Sequence, residues 1–334
     1  MAAVFDRFFA MAVPRATRFS LALVTSLLVP AAFASLPGAA HAAPEETLDL
    51  QAPSDIDSPI AVLPEGHHVS SFARSGEHTP AIKSEFALVV DQDTNEILMQ
   101  KNPDEVSSIA SITKLMTAMV TLDANLPLDE ELVVTKDERT TTGWAHSSLR
   151  PGIHLTRADA LHLALMSSEN HAAQLLGRTY PGGVEAEVAA MNAKARALGM
   201  SESSFADPTG LNPLNRASAA DLVQMVKAAY SYPEIREFSV STEYDLHVGR
   251  HSVRYLNTNK LTSKPDWQIG LQKTGYINAA GRCLVMQTVI EGRRVVMVLL
   301  DSIGKYSRFA DAQRIHDWLV TRAGSPAGAH GATE

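Results

Sequence analysis

Hydrophobic and polar positions begin to alternate near residue 84. In "EFALVVDQDTNEILMQKN" two β-rich runs flank Asp93-Thr94-Asn95-Glu96, the pattern of an antiparallel hairpin closed by a turn. The period then changes. "SIASITKLMTAMVTLD" carries apolar residues at helical spacing and predicts a helix running to about Ala124. The middle of the chain keeps that period. "TRADALHLALM" has Thr156 as candidate N-cap and Asp159 in its first turn. "VEAEVAAMNAKARALG" spans about four turns and stops at Gly199, a natural C′ residue. "SAADLVQMVKAAY" places Ser218 three residues before Asp221, a capping-box-like start. Strand patterns return at "YDLHVGRHSVRYL" and "WQIGLQKTGYI", followed by a hairpin, "RCLVMQTVIEGRRVVMVLLD", turning at Glu291-Gly292. "FADAQRIHDWLV" closes the pattern as a helix.

Strands at both ends of the pattern with a helical block between them predict one α+β domain over residues 84–322. Its sheet is mostly antiparallel, and remote parts of the chain meet at one edge. No internal repeat is present. Residues 43–83 are polar, proline-bearing and without period, a flexible lead-in, and residues 323–334 read as a disordered Gly/Ala-rich tail. Residues 1–42 run from Arg7, Arg15 and Arg18 through "FSLALVTSLLVPAAF" to the small-residue site "AHA" at Ala42, the order of a cleavable export signal. Pro30 and Pro37 interrupt the apolar run and argue against a transmembrane helix.

Composition narrows the function classes. Of 334 residues, 45% are hydrophobic and 20% charged, which suits a packed globular protein. Removing the signal takes away three Arg and one Asp, so a net charge of −8 becomes more acidic still. An acidic chain without a basic cluster is a poor match for nucleic acid or anionic lipid. Cys283 is the only cysteine, so no intramolecular disulfide can form, and its alternating apolar surroundings make it a core residue. The histidines, His146, His154, His162 and His171 among them, show no metal-ligand spacing, so neither a metal nor another cofactor is expected.

One pair stands out chemically. Ser111 and Lys114 are three residues apart at the start of an apolar helix, so the amine can approach the hydroxyl on one face. Burial among Ile109, Leu115, Met116 and Met119 favours a neutral lysine, which can act as a base. The match alone is weak, since about one Ser-x-x-Lys is expected per 300 residues. A second one, Ser302 to Lys305, sits at a strand end with Gly304 and is not helical. Two further elements follow in order: Ser168-Glu169-Asn170 at a break between helices, and Lys273-Thr274-Gly275 on a strand. Arg74-Ser75-Gly76 resembles the last of these but lies in the lead-in. Each element alone reads as a helix cap, an interhelical turn or a strand end. All three in this order read as a site.

These motifs resemble those of the active-site-serine penicillin-binding proteins and serine β-lactamases. The resemblance runs from about residue 84 to 322. It is strongest toward the low-molecular-mass D-alanyl-D-alanine endopeptidases of the penicillin-binding protein 7 type, through "IASITKLMTAMVTLDA", "LALMSSENHAAQLLGRTYPGG", "MNAKARALGM", "DPTGL", "KTGYINAAGRCLVMQTVI" and "GKYSRFADAQR". It implies a β-lactamase/transpeptidase-like α+β fold, an antiparallel sheet flanked by helices with an inserted all-helical lobe. It implies Ser111 as nucleophile toward the penultimate D-alanine of a peptidoglycan stem peptide and Lys114 as its base. Ser168 would relay the proton to the leaving amine, and Asn170 would hold the substrate backbone. Lys273 would supply positive potential, with Thr274 and Gly275 along a sheet edge where a peptide adds as a strand. Glycine there would let the ligand come close. The amides of Ser111 and Tyr276 would form an oxyanion hole. Arg308 is a candidate for a substrate carboxylate, against the alternative of a solvated residue at a helix start.

A class A β-lactamase would need a glutamate aimed at the deacylating water. In "DPTGLN" Pro208 holds that position, although Leu211 and Asn212 fit. A non-catalytic penicillin-recognising protein would be expected to lose Ser111 or Lys114, and a Ser-His-Asp hydrolase would need a Gly-x-Ser-x-Gly elbow. The expected partners are peptidoglycan stem peptides, with β-lactams as covalent inhibitors and a lytic transglycosylase or other wall enzyme in attendance. The expected location is the periplasm. With only a short tail after the last helix, no membrane anchor is expected, and the preferred reaction is cleavage of cross-links over trimming of D-alanine.

Overall fold

The computed structural model describes residues 79–142 and 147–323. The export signal, most of the lead-in, the Arg74-Ser75-Gly76 triplet, His146 and the tail from residue 324 lie outside the described residues.

The first hairpin pairs β1 (Ser84–Asp91) with β2 (Ile97–Lys101), with a register shift between Val89 and Val90. Its turn is closed by Asp91, whose Oδ1 accepts from the amides of Asp93 and Thr94 at 2.9 Å each. After β3 (Ser107–Ser108), a single 3-10 turn over Ala110–Thr113 runs directly into α1 (Lys114–Asp123), whose C-cap is Ala124. Ser111 therefore sits in the tight turn and Lys114 at the first α-helical position.

A helical lobe follows. β4 (Glu131–Val133), α2 (Lys136–Thr142) and β5 (His154–Thr156) lead to α3 (Arg157–Met166). Thr156 and Asp159 form a complete capping box at its start. α4 (Asn170–Arg178) and α5 (Gly183–Ala197) come next, and Gly199 beyond α5 takes φ +73°. β6 (Arg216–Ala217), α6 (Ala219–Ala229) and α7 (Pro233–Val240) complete the lobe. The capping box at α6 is only half formed. Ser218 accepts from the Asp221 amide, but the Asp221 carboxylate is bonded to Glu202 N and Ser203 Oγ at 2.9 and 2.8 Å.

The chain returns through a separate hairpin, β7 (Glu243–Val248) with β8 (His251–Leu256). It finishes with β9 (Gln268–Ile277), β10 (Gly281–Ile290), β11 (Arg293–Ser302) and α8 (Ser307–Ala323). Glu291 and Gly292 both take positive φ, 49° and 77°, as the two-residue β10–β11 turn requires. Two short pairings accompany the helices of the lobe, β4 with β5 and β6 with the earlier β3, each over two or three residues. Pairings that short leave no alternation for the sequence to show.

The main sheet is antiparallel in the order β2-β1-β11-β10-β9. Both faces are covered, so its central strands read as unbroken apolar runs. Val296, Val298 and Leu300 of β11 pack toward the lobe, while Val295, Met297 and Leu299 join Ala312, Ile315 and Leu319 of α8 in a second core. Each such buried side chain contributes about 1.5–3 kcal/mol, so the sheet is a rigid base. β9 is its edge, and it meets the 3-10 turn before α1. The edge strand and the serine-bearing turn are thereby fixed against each other.

Candidate active site

Backbone approach comes first. A side chain at Gly275 on β9 would put its Cβ 2.9 Å from Ile109 O and 3.1 Å from Ser111 N. Glycine here makes room for the backbone of the serine turn itself, not only for a ligand. Gly210 does the same from the other side: it has φ +79°, and a Cβ would fall 2.0 Å from Ala110 O. Ala110 itself adopts φ 48°. A non-glycine residue in the left-handed region stores strain, here directly before Ser111.

Lys114 is fully buried, and its Nζ has three partners: Ser111 Oγ at 2.8 Å, Asn170 Oδ1 at 2.9 Å and the Thr209 carbonyl at 2.5 Å. Two of these can only accept. A neutral amine has two N–H bonds and one lone pair, so Asn170 and Thr209 take both protons and the lone pair is left for the Ser111 hydroxyl. Burial pulls the Lys114 pKa down to about 7, against the opposing pull of Asp207 and Glu169. Near neutrality this lysine is therefore poised to accept a proton.

A second lysine–serine pair lies beside the first. Lys273, also fully buried, donates from Nζ to Ser168 Oγ and to the Thr274 carbonyl, both at 2.8 Å. Its pKa is well below the usual lysine value because of burial and the cations Lys114 and Arg308. Ser168 adopts φ 61° at the turn between α3 and α4, a strained conformation that directs neighbouring side chains to different partners. Thr274 Oγ1 donates to Thr258 Oγ1 at 2.7 Å. Tyr276 is half exposed, its ring 4.2 Å from the Arg282 guanidinium carbon.

For Arg308 the structure removes the alternative of a solvated residue at a helix start. It is not solvated: it is 7% exposed, stacked on Phe309 and bonded to Lys305 O at 3.2 Å, with Nε unpaired. Burial and Arg282 lower its pKa to about 10. It bonds to no carboxylate among the described residues.

Thr209 and Asp207 were not identified as site residues by sequence reasoning. Asp207 Oδ1 accepts from the amides of Thr209 and Gly210 at 2.8 and 2.6 Å, and Oδ2 from Asn212 N at 2.8 Å. That fixes the loop whose Thr209 carbonyl holds Lys114, while the Pro208 carbonyl accepts from Thr117 Oγ1 at 2.7 Å. Asp-Pro before a glycine is a turn signature. Nothing in it reveals that a carbonyl of that turn faces a lysine. The remaining candidates behave as packing residues. Cys283 is buried with its thiol pushed up to about 12, His162 stacks on Phe238, and His171 Nδ1 lies 2.7 Å from Leu149 O.

Known proteins are similar to this chain in sequence and fold. The sequence profile of the family described as D-alanyl-D-alanine carboxypeptidase, Peptidase S11, matches residues 73–304. The chain is 46% identical over 244 residues to a D-alanyl-D-alanine endopeptidase of Escherichia coli K12, covering 72% of this chain and 79% of that one. It is 48% identical over 238 residues to a D-alanyl-D-alanine endopeptidase of Pseudomonas aeruginosa, covering 70% and 76%. Among solved structures, it is similar to the Streptomyces K15 DD-transpeptidase, with a TM-score of 0.68 and 25% identity over 72% of this chain and 98% of that one.

Proposed function

This chain belongs to the D-alanyl-D-alanine carboxypeptidase family, and we propose that it is a serine DD-endopeptidase that hydrolyses D-alanyl-diaminopimelate cross-links of peptidoglycan. The observation that carries the reading is the bonding of Lys114. Its two acceptor-only partners leave the lone pair facing Ser111 Oγ, 2.8 Å away.

In this mechanism Lys114 takes the Ser111 proton as Oγ attacks the carbonyl of the penultimate D-alanine. The amides of Ser111 and Tyr276 receive the developing oxyanion, each donor typically worth ~2.7–4 kcal/mol. Ser168, bonded to Lys273, relays the Ser111 proton from Lys114 to the leaving amine, so that Lys114 is again neutral for the attack of water. Asn170 has a further role in holding the substrate backbone, and the peptide lies along Thr274–Tyr276 on the edge strand. Lys273 and Arg308, buried basic groups without a bonded carboxylate among the described residues, receive the substrate's carboxylate, whose charge favours the protonated form of Lys273. Water then hydrolyses the acyl-enzyme and releases Ser111.

The same geometry supports acylation by β-lactams with slow release. The position that would carry a lactamase glutamate is Pro208, whose carbonyl is engaged by Thr117. We assign the catalytic domain to residues 84–322 and the first 42 residues to an export signal, which places the enzyme in the periplasm. No helix among the described residues is long and apolar enough to cross a membrane. A lytic transglycosylase suits as a working partner on chemistry alone, since one cuts glycan and the other peptide.

The test is digestion of purified muropeptides. Cross-linked dimers should be converted to monomers, with weak release of D-alanine from monomeric pentapeptide. Much faster pentapeptide trimming would make the enzyme a carboxypeptidase, the second reading, which family membership equally supports.

A further inference from the structure

Glu169 lies between Ser168 and Asn170 and has no part in the reaction above. It is 6% exposed and is the N-cap of α4, with Oε2 accepting from the Ala172 amide at 2.7 Å. Its other oxygen, Oε1, is buried without a hydrogen-bond partner. A cap alone does not explain this residue. Ser, Asn or Asp caps as well or better, without burying a free carboxylate oxygen. Its flanking residues explain it better. Ser168 is bonded to Lys273 and Asn170 to Lys114, so Glu169 underlies the turn that aims both.

We propose that Glu169 is a positioning residue for Lys114: from the buried α3–α4 turn, its carboxylate adds to the counter-charge of Asp207 against which Lys114 exchanges the Ser111 proton. This rests on the acyl-serine reading. The groups acting on Lys114 are Asp207 from the loop after α5, Glu169 at the start of α4 and Lys273 on β9. Those acting on Glu169 are His171 of α4, Lys114 of α1, the Ser147 hydroxyl and Tyr255 of β8. Burial dominates and raises the Glu169 pKa, with Ser147, the Ala172 amide, His171 and Lys114 opposing it in part. Asp207 is the other anion near Lys114, but both of its oxygens are bonded within its own loop. Asp207 acts on Lys114 the more strongly of the two, and Glu169 adds to it from the turn whose Asn170 holds the Lys114 amine.

The sign follows from charge. A carboxylate favours the ammonium form, so removing it makes Lys114 neutral at lower pH. Glu169→Gln keeps the shape and the cap acceptor and removes only the charge. The Lys114 titration is read by NMR on protein carbon-13-labelled at lysine, without substrate, the resonance being assigned from Lys114→Arg. In Glu169→Gln its midpoint should fall by about one pH unit, the low end for loss of a nearby opposite charge. The acid limb of fluorescent-penicillin labelling should move the same way, so the variant keeps several-fold more of its own plateau rate below pH 6. Glu169→Asp, which retains the charge, should keep a midpoint near that of the wild type. If Glu169→Gln does not fold, Glu169→Ser, an uncharged cap, should give the same fall. An unchanged midpoint in a folded neutral variant overturns the proposal, whatever happens to the rate. Failure of the wild-type protein to label overturns the acyl-serine reading instead, and the substrate-free titration tells the two apart.

Discussion

Lys273 Nζ donates to Ser168 Oγ at 2.8 Å, joining residues 105 apart in sequence, and the pair stands beside an equivalent contact of 2.8 Å between Lys114 and Ser111. Both lysines are fully buried, burial lowers the pKa of each, and Lys114 lowers that of Lys273 further. One pair forms inside a single helical turn. The other exists only because an edge strand and an interhelical turn meet. Groups that act as one unit do not contribute additively. Ser168→Ala and Lys273→Ala should each slow acylation by penicillin by about 10²–10⁴, the range for a lost proton-transfer group. The double variant should be little worse than the poorer single one. A double-mutant cycle measured by stopped-flow acylation checks this, and simple addition of the two losses would show that they act separately.

Lys114 gives a pH prediction. With its pKa brought down to about 7, the neutral base appears as pH rises through that value, so acylation should rise from pH 6 to pH 8 and then level. Lys114→Arg keeps the charge and cannot lose its proton, so it should abolish labelling at every pH. Ser111→Ala should also be unlabelled while remaining folded. Intact-mass spectrometry after incubation with penicillin reads both outcomes. Substantial labelling of Lys114→Arg would remove Lys114 from the mechanism.

Much of this arrangement was legible beforehand because it is local. Ser111 and Lys114 meet through helical spacing, Thr156 caps α3 as expected with Asp159 completing a box, and Glu291-Gly292 turns the hairpin as written. Pro233 at the first position of α7 is a start signal, but the eight-residue segment it opens is too short to display an apolar stripe. The Thr209 carbonyl could not be found by residue type, since every residue has one. For Arg308 the sequence left a carboxylate contact and a solvated helix start both open, because its burial comes from tertiary packing that residue spacing does not show. Asp221 turned from its own helix cap to Glu202 and Ser203 for the same reason: a nearby pair of donors outcompeted the local one.

Gly275 should tolerate no side chain. Its Cβ would press on Ile109 O and Ser111 N, both backbone atoms of the serine turn, and neither can swing aside as a flexible side chain would. Gly275→Ala should therefore cut the acylation rate by at least about tenfold through displacement of Ser111, since small misplacements of reacting groups cost up to ~100-fold. The loss of thermal stability should be modest by comparison. Near-wild-type acylation would mean that the turn can retreat without harm.

Glu187 on α5 yields the last prediction, one about stability. Its side chain is fully buried, Oε2 has no hydrogen-bond partner, and a Cβ at Gly177 would fall 2.4 Å from that oxygen. Burial first, and then Asp207, push its pKa up to about 8, with Thr121 opposing. The folded protein thus keeps this proton up to about pH 8, whereas the unfolded chain gives it up near the ordinary value of 4.5. Between those values the folded state binds more protons, so stability falls as pH rises, by up to ~1.4 kcal/mol per pH unit. Lys114 works in the opposite direction but over a higher window, from about 7 to its ordinary 10.5. His162, lowered to about 4 from 6.5, opposes Glu187 within the same window and Glu169, also raised, adds to it, so the Glu187 contribution is read as the difference between variant and wild type. Glu187→Gln removes the titration, and its Tm relative to the wild type should improve steadily from pH 5 to pH 7. Scanning calorimetry on both proteins in matched buffers decides it. A difference in Tm that does not change with pH would mean that Glu187 is already ionised in the fold.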